Sequence, residues 1–252
     1  MCIRDSSNFN GACSVYSADI DGDGDMDILG TATEADDVVW WENSDGQGTI
    51  WIQHMIYGYF DYAYLVRAGY IDNDANIDII ASAISMGDII WWRNNIPQGG
   101  SLSAYLIDSD FRGAAGIALA DLNNNGYTDV VGAAFYADDI AWWENDGTPE
   151  NGGWIKHTID SNFNGAAEIY TADINNDGYL DVLGAASEAD DVVWWENDGT
   201  PENGGWIKHT IDSNFNGACS VYSEDINNDG KIDVLGAALY ADDIVWWENL
   251  VP

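Results

Sequence analysis

Residues Asp19 to Asp27 read DIDGDGDMD, and the pattern returns as YIDNDANID at 70–78, DLNNNGYTD at 121–129, DINNDGYLD at 173–181 and DINNDGKID at 225–233. Successive copies start 51 or 52 residues apart, and a Trp pair follows each final Asp by about thirteen residues. The pairs are Trp40–Trp41, Trp91–Trp92, Trp142–Trp143, Trp194–Trp195 and Trp246–Trp247. A fixed period of this size signals stacked copies of one supersecondary unit, each burying its faces against its neighbours.

Working outward from the fourth acidic stretch, the unit reads AAEIYTADI (166–174), the acidic loop, YLDVLGAAS (179–187), the turn EADD (188–191), VVWWEN (192–197), the loop DGTPENGG (198–205) and WIKHTI (206–211). Alternating apolar residues, β-branched and aromatic enrichment, and Gly, Asn and Asp punctuation specify four strands without a helical period. Four strands in about 50 residues is the size of a β-propeller blade. A solenoid of β-rungs fits less well, because its coils are shorter and need no long loop in every copy. The fold expected is all-β, a β-propeller of five four-stranded blades with the last blade incomplete. The two Trp of each pair point to opposite sheet faces, where packing between blades explains them better than sugar stacking does.

Repeats are expected at about 7–57, 58–108, 109–160, 161–212 and 213–252, forming a single domain over 7–252. The last copy stops at WWENLVP, without a counterpart of WIKHTI. Residues 1–6, MCIRDS, do not match the HTID that precedes SNFNGA elsewhere. MCIRD reads like a translated sequencing adapter, so a non-native leader on a fragment of a longer protein is expected. Signal peptide, anchor, further domains and native blade number therefore stay open.

Forty-four acidic residues against seven basic ones give a net charge of −37. Such a chain repels nucleic acid and anionic membrane surfaces and favours cationic ligands. No stretch has the length of a transmembrane helix. Cys13 and Cys219 fall at one repeat position, where Ala115 and Ala167 stand in other copies. A small buried residue is expected there, with no disulfide between them.

A hard divalent cation takes six to eight oxygen ligands, and a short loop supplies them from alternate side chains and a backbone carbonyl. With side chains at positions 1, 3, 5 and 9 and the carbonyl of position 7, the first loop offers Asp19, Asp21, Asp23, Asp27 and Asp25. The fourth offers Asp173, Asn175, Asp177, Asp181 and Tyr179, and the fifth offers Asp225, Asn227, Asp229, Asp233 and Lys231. In the third, Asp121 and Asp129 keep their charge while Asn123 and Asn125 replace carboxylates, with Tyr127 at position 7. The second has Tyr70 at position 1 and Ala75 in place of glycine, leaving Asp72, Asp74 and Asp78, with Asn76 at position 7. Fewer charges weaken a calcium site. Three strong sites are thus expected, the first above the fourth and fifth, then a weaker third and a weak or empty second. An EF-hand is excluded, because flanking helices are missing and Gly30, Gly184 and Gly236 stand where it needs Glu.

These loops, the WWEN strand and the period resemble the FG-GAP or VCBS repeats of integrin-type β-propellers, from Ser7 to the end of the chain. The name-giving Phe-Gly and Gly-Ala-Pro segments are not literal; the matching stretches read FRGA at Phe111 and FNGA at Phe163 and Phe215. The resemblance implies structural calcium on one face and a ligand surface on the other, formed by Glu34 to Asp37, Tyr136 to Asp139, Glu188 to Asp191, Tyr240 to Asp243 and the SNFNG connections. It implies a non-enzymatic, secreted or cell-surface module of adhesion that binds a protein or a glycan. The alternative is a lectin or the propeller part of a polysaccharide-active enzyme, with Trp51, Trp154, Trp206 and the exposed Tyr of the YADD turns stacking on sugars. His54, His157 and His209 share one repeat position on different blades and are expected to be solvated strand residues, not a catalytic cluster.

Overall fold

A computed structural model describes residues 9–251; the expected leader at 1–6 and the start of the first repeat lie outside them. The strands are β1 (Ala12–Ala18), β2 (Asp27–Ala32), β3 (Asp37–Asn43), β4 (Trp51–Gly58), β5 (Ala63–Gly69), β6 (Asp78–Ala83), β7 (Asp88–Asn94), β8 (Leu102–Asp108), β9 (Ala114–Ala120) and β10 (Asp129–Ala134). They continue as β11 (Asp139–Asn145), β12 (Trp154–Asp160), β13 (Ala166–Ala172), β14 (Asp181–Ala186), β15 (Asp191–Asn197), β16 (Trp206–Asp212), β17 (Ala218–Glu224), β18 (Asp233–Ala238) and β19 (Asp243–Trp247). Each set of four forms an antiparallel meander in chain order, and β17-β18-β19 form a sheet of three. This is the repeated blade of the β-propeller class, as the period requires.

The chain divides into two compact units. The first runs to Ala114 and includes Gly147–Gly152, and it holds the sheets β1–β4 and β5–β8. Its core joins Ile20, Leu29, Val38, Trp40, Phe60 and Trp92. The second, Ala115–Asp146 with Gly153 onward, holds the other three sheets. One core there gathers Leu122, Val131, Trp142, Phe163, Ile169 and Trp195, and another gathers Ile174, Leu183, Trp194, Phe215, Val221 and Val234.

Burial follows the residue pattern. In the fourth sheet the second strand, DVLGAA, is buried along its whole length, so it reads as a continuous run of small and apolar residues. The outer strand WIKHTID is only partly covered and leaves Ile207, Lys208 and Thr210 exposed. Both Trp of the first four pairs are buried, as packing on two sheet faces demands. Trp pairs also fix cross-strand partners: Trp40 lies opposite His54, Trp142 opposite His157 and Trp194 opposite His209, while Trp91 faces Tyr105.

The cysteines correct the sequence reading. Cys13 and Cys219 are free and exposed. Within their units β1 packs against β5 and β17 against β13. The Cys13 thiol is half-covered, with Sγ 3.0 Å from the Tyr64 carbonyl oxygen, and burial pushes its pKa up.

Candidate metal centres

Each acidic loop joins the first and second strands of its sheet and is folded by its own side chains. In four of them the Asp at position 1 accepts the N–H of a glycine at position 6: Asp19 from Gly24 (3.0 Å), Asp121 from Gly126 (2.8 Å), Asp173 from Gly178 (2.9 Å) and Asp225 from Gly230 (2.9 Å). Those glycines have φ between 88° and 94°, a region that only glycine enters without strain. The position 5 side chain in turn accepts the N–H of position 7, from Asp25, Asn76, Tyr127, Tyr179 and Lys231, at 2.7–3.0 Å.

The last Asp of each loop has a structural task. Its Oδ2 accepts the N–H of position 2 (Ile20, Ile71, Leu122, Ile174 or Ile226) at 2.9–3.1 Å. Its Oδ1 accepts the N–H of the Asn that follows the Trp pair (Asn43, Asn94, Asn145, Asn197 or Asn249) at 2.8–2.9 Å. Asp27, Asp78, Asp129, Asp181 and Asp233 are all buried. Outside the second loop each oxygen still carries a second lone pair for a cation, whereas Asp78 Oδ2 also accepts the Asp72 N–H at 3.3 Å. Burial pushes Asp78, Asp129 and Asp181 up to about 7, against backbone N–H donors that pull the other way. A neighbouring cation would relieve that penalty on the charged form.

The first loop brings most together. One carboxylate oxygen from each of Asp19, Asp21 and Asp27 lies within 4.8 Å of the others. Calcium–oxygen distances of 2.3–2.6 Å put ligands on opposite sides of the ion about 4.6–5.2 Å apart, so the three oxygens fit one shell. Burial raises Asp21 above the ordinary carboxylate value, with Asp23, Asp27 and Glu42 adding to it. Asn at position 3 dilutes the charge of the third, fourth and fifth loops. Asn175 and Asn227 donate to Asp177 (3.0 Å) and Asp229 (3.2 Å). Asn123 donates to Glu144 (3.3 Å), and Asn125 to the Asn145 carbonyl (3.3 Å). The second loop departs furthest: Ala75 is outside the left-handed region, and Tyr70 offers no carboxylate at position 1.

One residue set has no assignment from the sequence. The Asn after each Trp pair ties loops together: Asn94 Nδ2 donates to the carbonyls of Ile20 (2.7 Å) and Ile77 (2.9 Å), Asn197 to Leu122 (2.8 Å) and Leu180 (3.2 Å), and Asn249 to Ile174 (2.7 Å) and Ile232 (2.9 Å). Its recurrence in all five copies was the available signal. The histidines, expected to be solvated, are held. His54, His157 and His209 stack on Trp40, Trp142 and Trp194 with centroids 4.3–4.6 Å apart. Each Nε2 is 2.7–3.0 Å from Glu42, Glu144 or Glu196, because strand register sets the three side chains side by side.

At the other end of the sheets, Asp36, Asp138 and Asp190 adopt φ of 59–61°. Each accepts the backbone N–H of the next connection through Oδ1, from Tyr62, Gly165 and Gly217 at 2.8–3.0 Å. Tyr136 and Tyr240 of the YADD turns are 57% and 68% exposed. Trp51, Trp154 and Trp206 are half-buried.

The family model of the FG-GAP-like repeat matches this chain at residues 19–81, 121–184 and 173–236. No curated protein matches it. Among solved structures, selenomethionine-substituted virginiamycin B lyase from Staphylococcus aureus is similar with a TM-score of 0.60 and 10% identity, over 96% of this chain and 71% of that one. A chain of a nidogen/laminin complex is similar with a TM-score of 0.60 and 7% identity, over 95% of this chain and 81% of that one. At these identities the likeness concerns the fold.

Proposed function

We propose, from the premise that this chain belongs to the FG-GAP-like repeat family, that it is a non-enzymatic, calcium-stabilised recognition module working outside the cell. The observation that carries the reading is the convergence of Asp19, Asp21 and Asp27 oxygens in a loop that recurs along the chain. Calcium would be held by positions 1, 3, 5 and 9 with the position 7 carbonyl, and would supply positive charge to carboxylates that burial disfavours. Extracellular modules bind calcium with constants of about 0.1–1 mM, a range matched to a medium rich in the ion. The net charge of −37 suits the same setting.

The partner, a protein or a glycan, is read onto the end of the sheets away from the loops, where Tyr136 and Tyr240 stand exposed. Aromatic side chains of this kind supply large contact area at low entropic cost. Calorimetric titration of calcium into the metal-free chain tests the first part: Asp19→Ala with Asp21→Ala should bind one ion fewer than the parent, and an unchanged count would overturn the assignment. Binding to arrayed glycans and matrix proteins tests the second. Tyr136→Ala with Tyr240→Ala should weaken binding at least tenfold while leaving the ion count alone. Sugar bound at several equivalent sites would favour the lectin alternative.

A further inference from the structure

The residue between the Trp pair and the Asn is Glu42, Glu144, Glu196 and Glu248 in four copies, and Arg93 in the second. That copy is also the one whose loop starts with Tyr70 and carries Ala75. In two of the acidic copies this side chain reaches position 3 of the loop: Glu144 accepts from Asn123 and Glu248 from Asn227, both at 3.3 Å. Arg93 reaches the same place with opposite charge. Its Nε is 2.7 Å from Asp72 Oδ2, Nη2 is 3.3 Å from Asp74 Oδ2, and Nη1 is 2.8 Å from Glu150 Oε1. The Nε contact is an ion pair whose N–H is not aligned for a hydrogen bond.

Asp72 and Asp74 occupy positions 3 and 5, ligand positions in the other loops. The Asp72 side chain is only 2% exposed, and a buried carboxylate needs a paired positive charge. A guanidinium presents several donors in a rigid plane and is always charged, so it can serve several carboxylates at once. Asn76 and Gln98 close the side of the loop with reciprocal amide bonds of 2.8 and 3.2 Å.

We infer that the Arg93 guanidinium takes the place of the divalent cation in the second loop, so that this blade keeps its acidic loop folded without metal. The inference rests on the calcium reading of the other loops. A charge-reversing exchange at one strand position thus converts a metal-dependent blade into a metal-independent one. The paired changes at Tyr70 and Ala75 remove the first ligand and the left-handed turn that metal binding uses.

Hydrogen exchange of the full chain, in EDTA and in saturating calcium, tests this directly. Calcium should protect the amides of 19–27, 173–181 and 225–233 and leave those of 70–78 unchanged. Equal protection of 70–78 would overturn the inference alone, and no protection anywhere would overturn the calcium reading with it. Ion counting gives the second arm. Tyr70→Asp with Ala75→Gly should bind no more calcium than the parent, whereas adding Arg93→Glu should raise the count by one. A gain without the Arg93 change, or no gain with it, would overturn the inference. If the triple variant does not fold, the exchange measurement on the unmodified chain still decides.

Discussion

At Gly184 an added Cβ would lie 2.9 Å from Trp195 and 3.1 Å from Phe163. The missing side chain lets Phe163 meet the Trp195 ring edge-on, 4.9 Å away at 86°. The second copy shows what a methyl does: Ala81 stands at this place, and its Phe60–Trp92 pair opens to 6.3 Å. Gly184→Ala should cost about 1–3 kcal/mol by overpacking, measured by denaturant unfolding; a neutral result would mean that the pair gives way freely. Charge at a single residue is equally testable. Burial, with Asp108 adding to it, holds Asp88 above the ordinary carboxylate value of 3.8. The folded state then binds that proton more tightly than the unfolded one. Its stabilising contribution is full below 3.8 and is lost as pH rises through the higher folded value. Asp88→Asn should therefore flatten the fall in Tm as pH rises above about 4 in EDTA; an unchanged slope would contradict it. The candidate ligand positions were legible because oxygen-bearing side chains recur at alternate places. The exchange of Glu for Arg93 was equally visible, yet its meaning needs the strand register that brings Arg93 to Asp72, some twenty residues away in sequence.

At the scale of the element, the strands and their order followed from period, alternation and punctuation, and the meander β13-β14-β15-β16 is the one read from 166–211. Less legible were the bulges, such as the one in β16, where Val192 pairs with Asp212 and Val193 with Thr210 and Ile211 is left without a partner in the ladder. A bulge inserts one unpaired residue and leaves no residue type as its mark. The histidines were only partly legible for a related reason. Alternation alone places His209 on an outer strand, but its stacking on Trp194 and its bond to Glu196 come from pairing two strands in one register. The Asn that ends the third strand also acts between elements. Asn197 joins its own loop at Leu180 to the loop of the preceding sheet at Leu122. Asn197→Ala strands both carbonyls and should cost about 1–3 kcal/mol. Its exchange signature would be loss of protection in both loops; loss in one alone would place its role within a single sheet.

Over the whole molecule, charge and period work together. Forty-four acidic residues were legible from composition as a demand for cations, and the fold concentrates many of them in repeated loops beside buried carboxylates. Self-repulsion of that kind destabilises a folded chain, and a ligand that binds only the folded state offsets it, by about 2.7 kcal/mol per independent site at a hundredfold excess over its dissociation constant. Exposure of Cys13 and Cys219 was not legible, because the repeat assigns their position the burial of Ala115, while neighbouring sheets decide it. The most direct test of calcium as the stabilising ligand is a thermal melt of the purified chain in excess EDTA and then in about 10 mM calcium, with the bound ions counted by calorimetry. A large upward shift in Tm with three or four ions bound is the predicted result. An unchanged Tm with no ions bound would contradict the account and leave the acidic loops as turns held by their own hydrogen bonds.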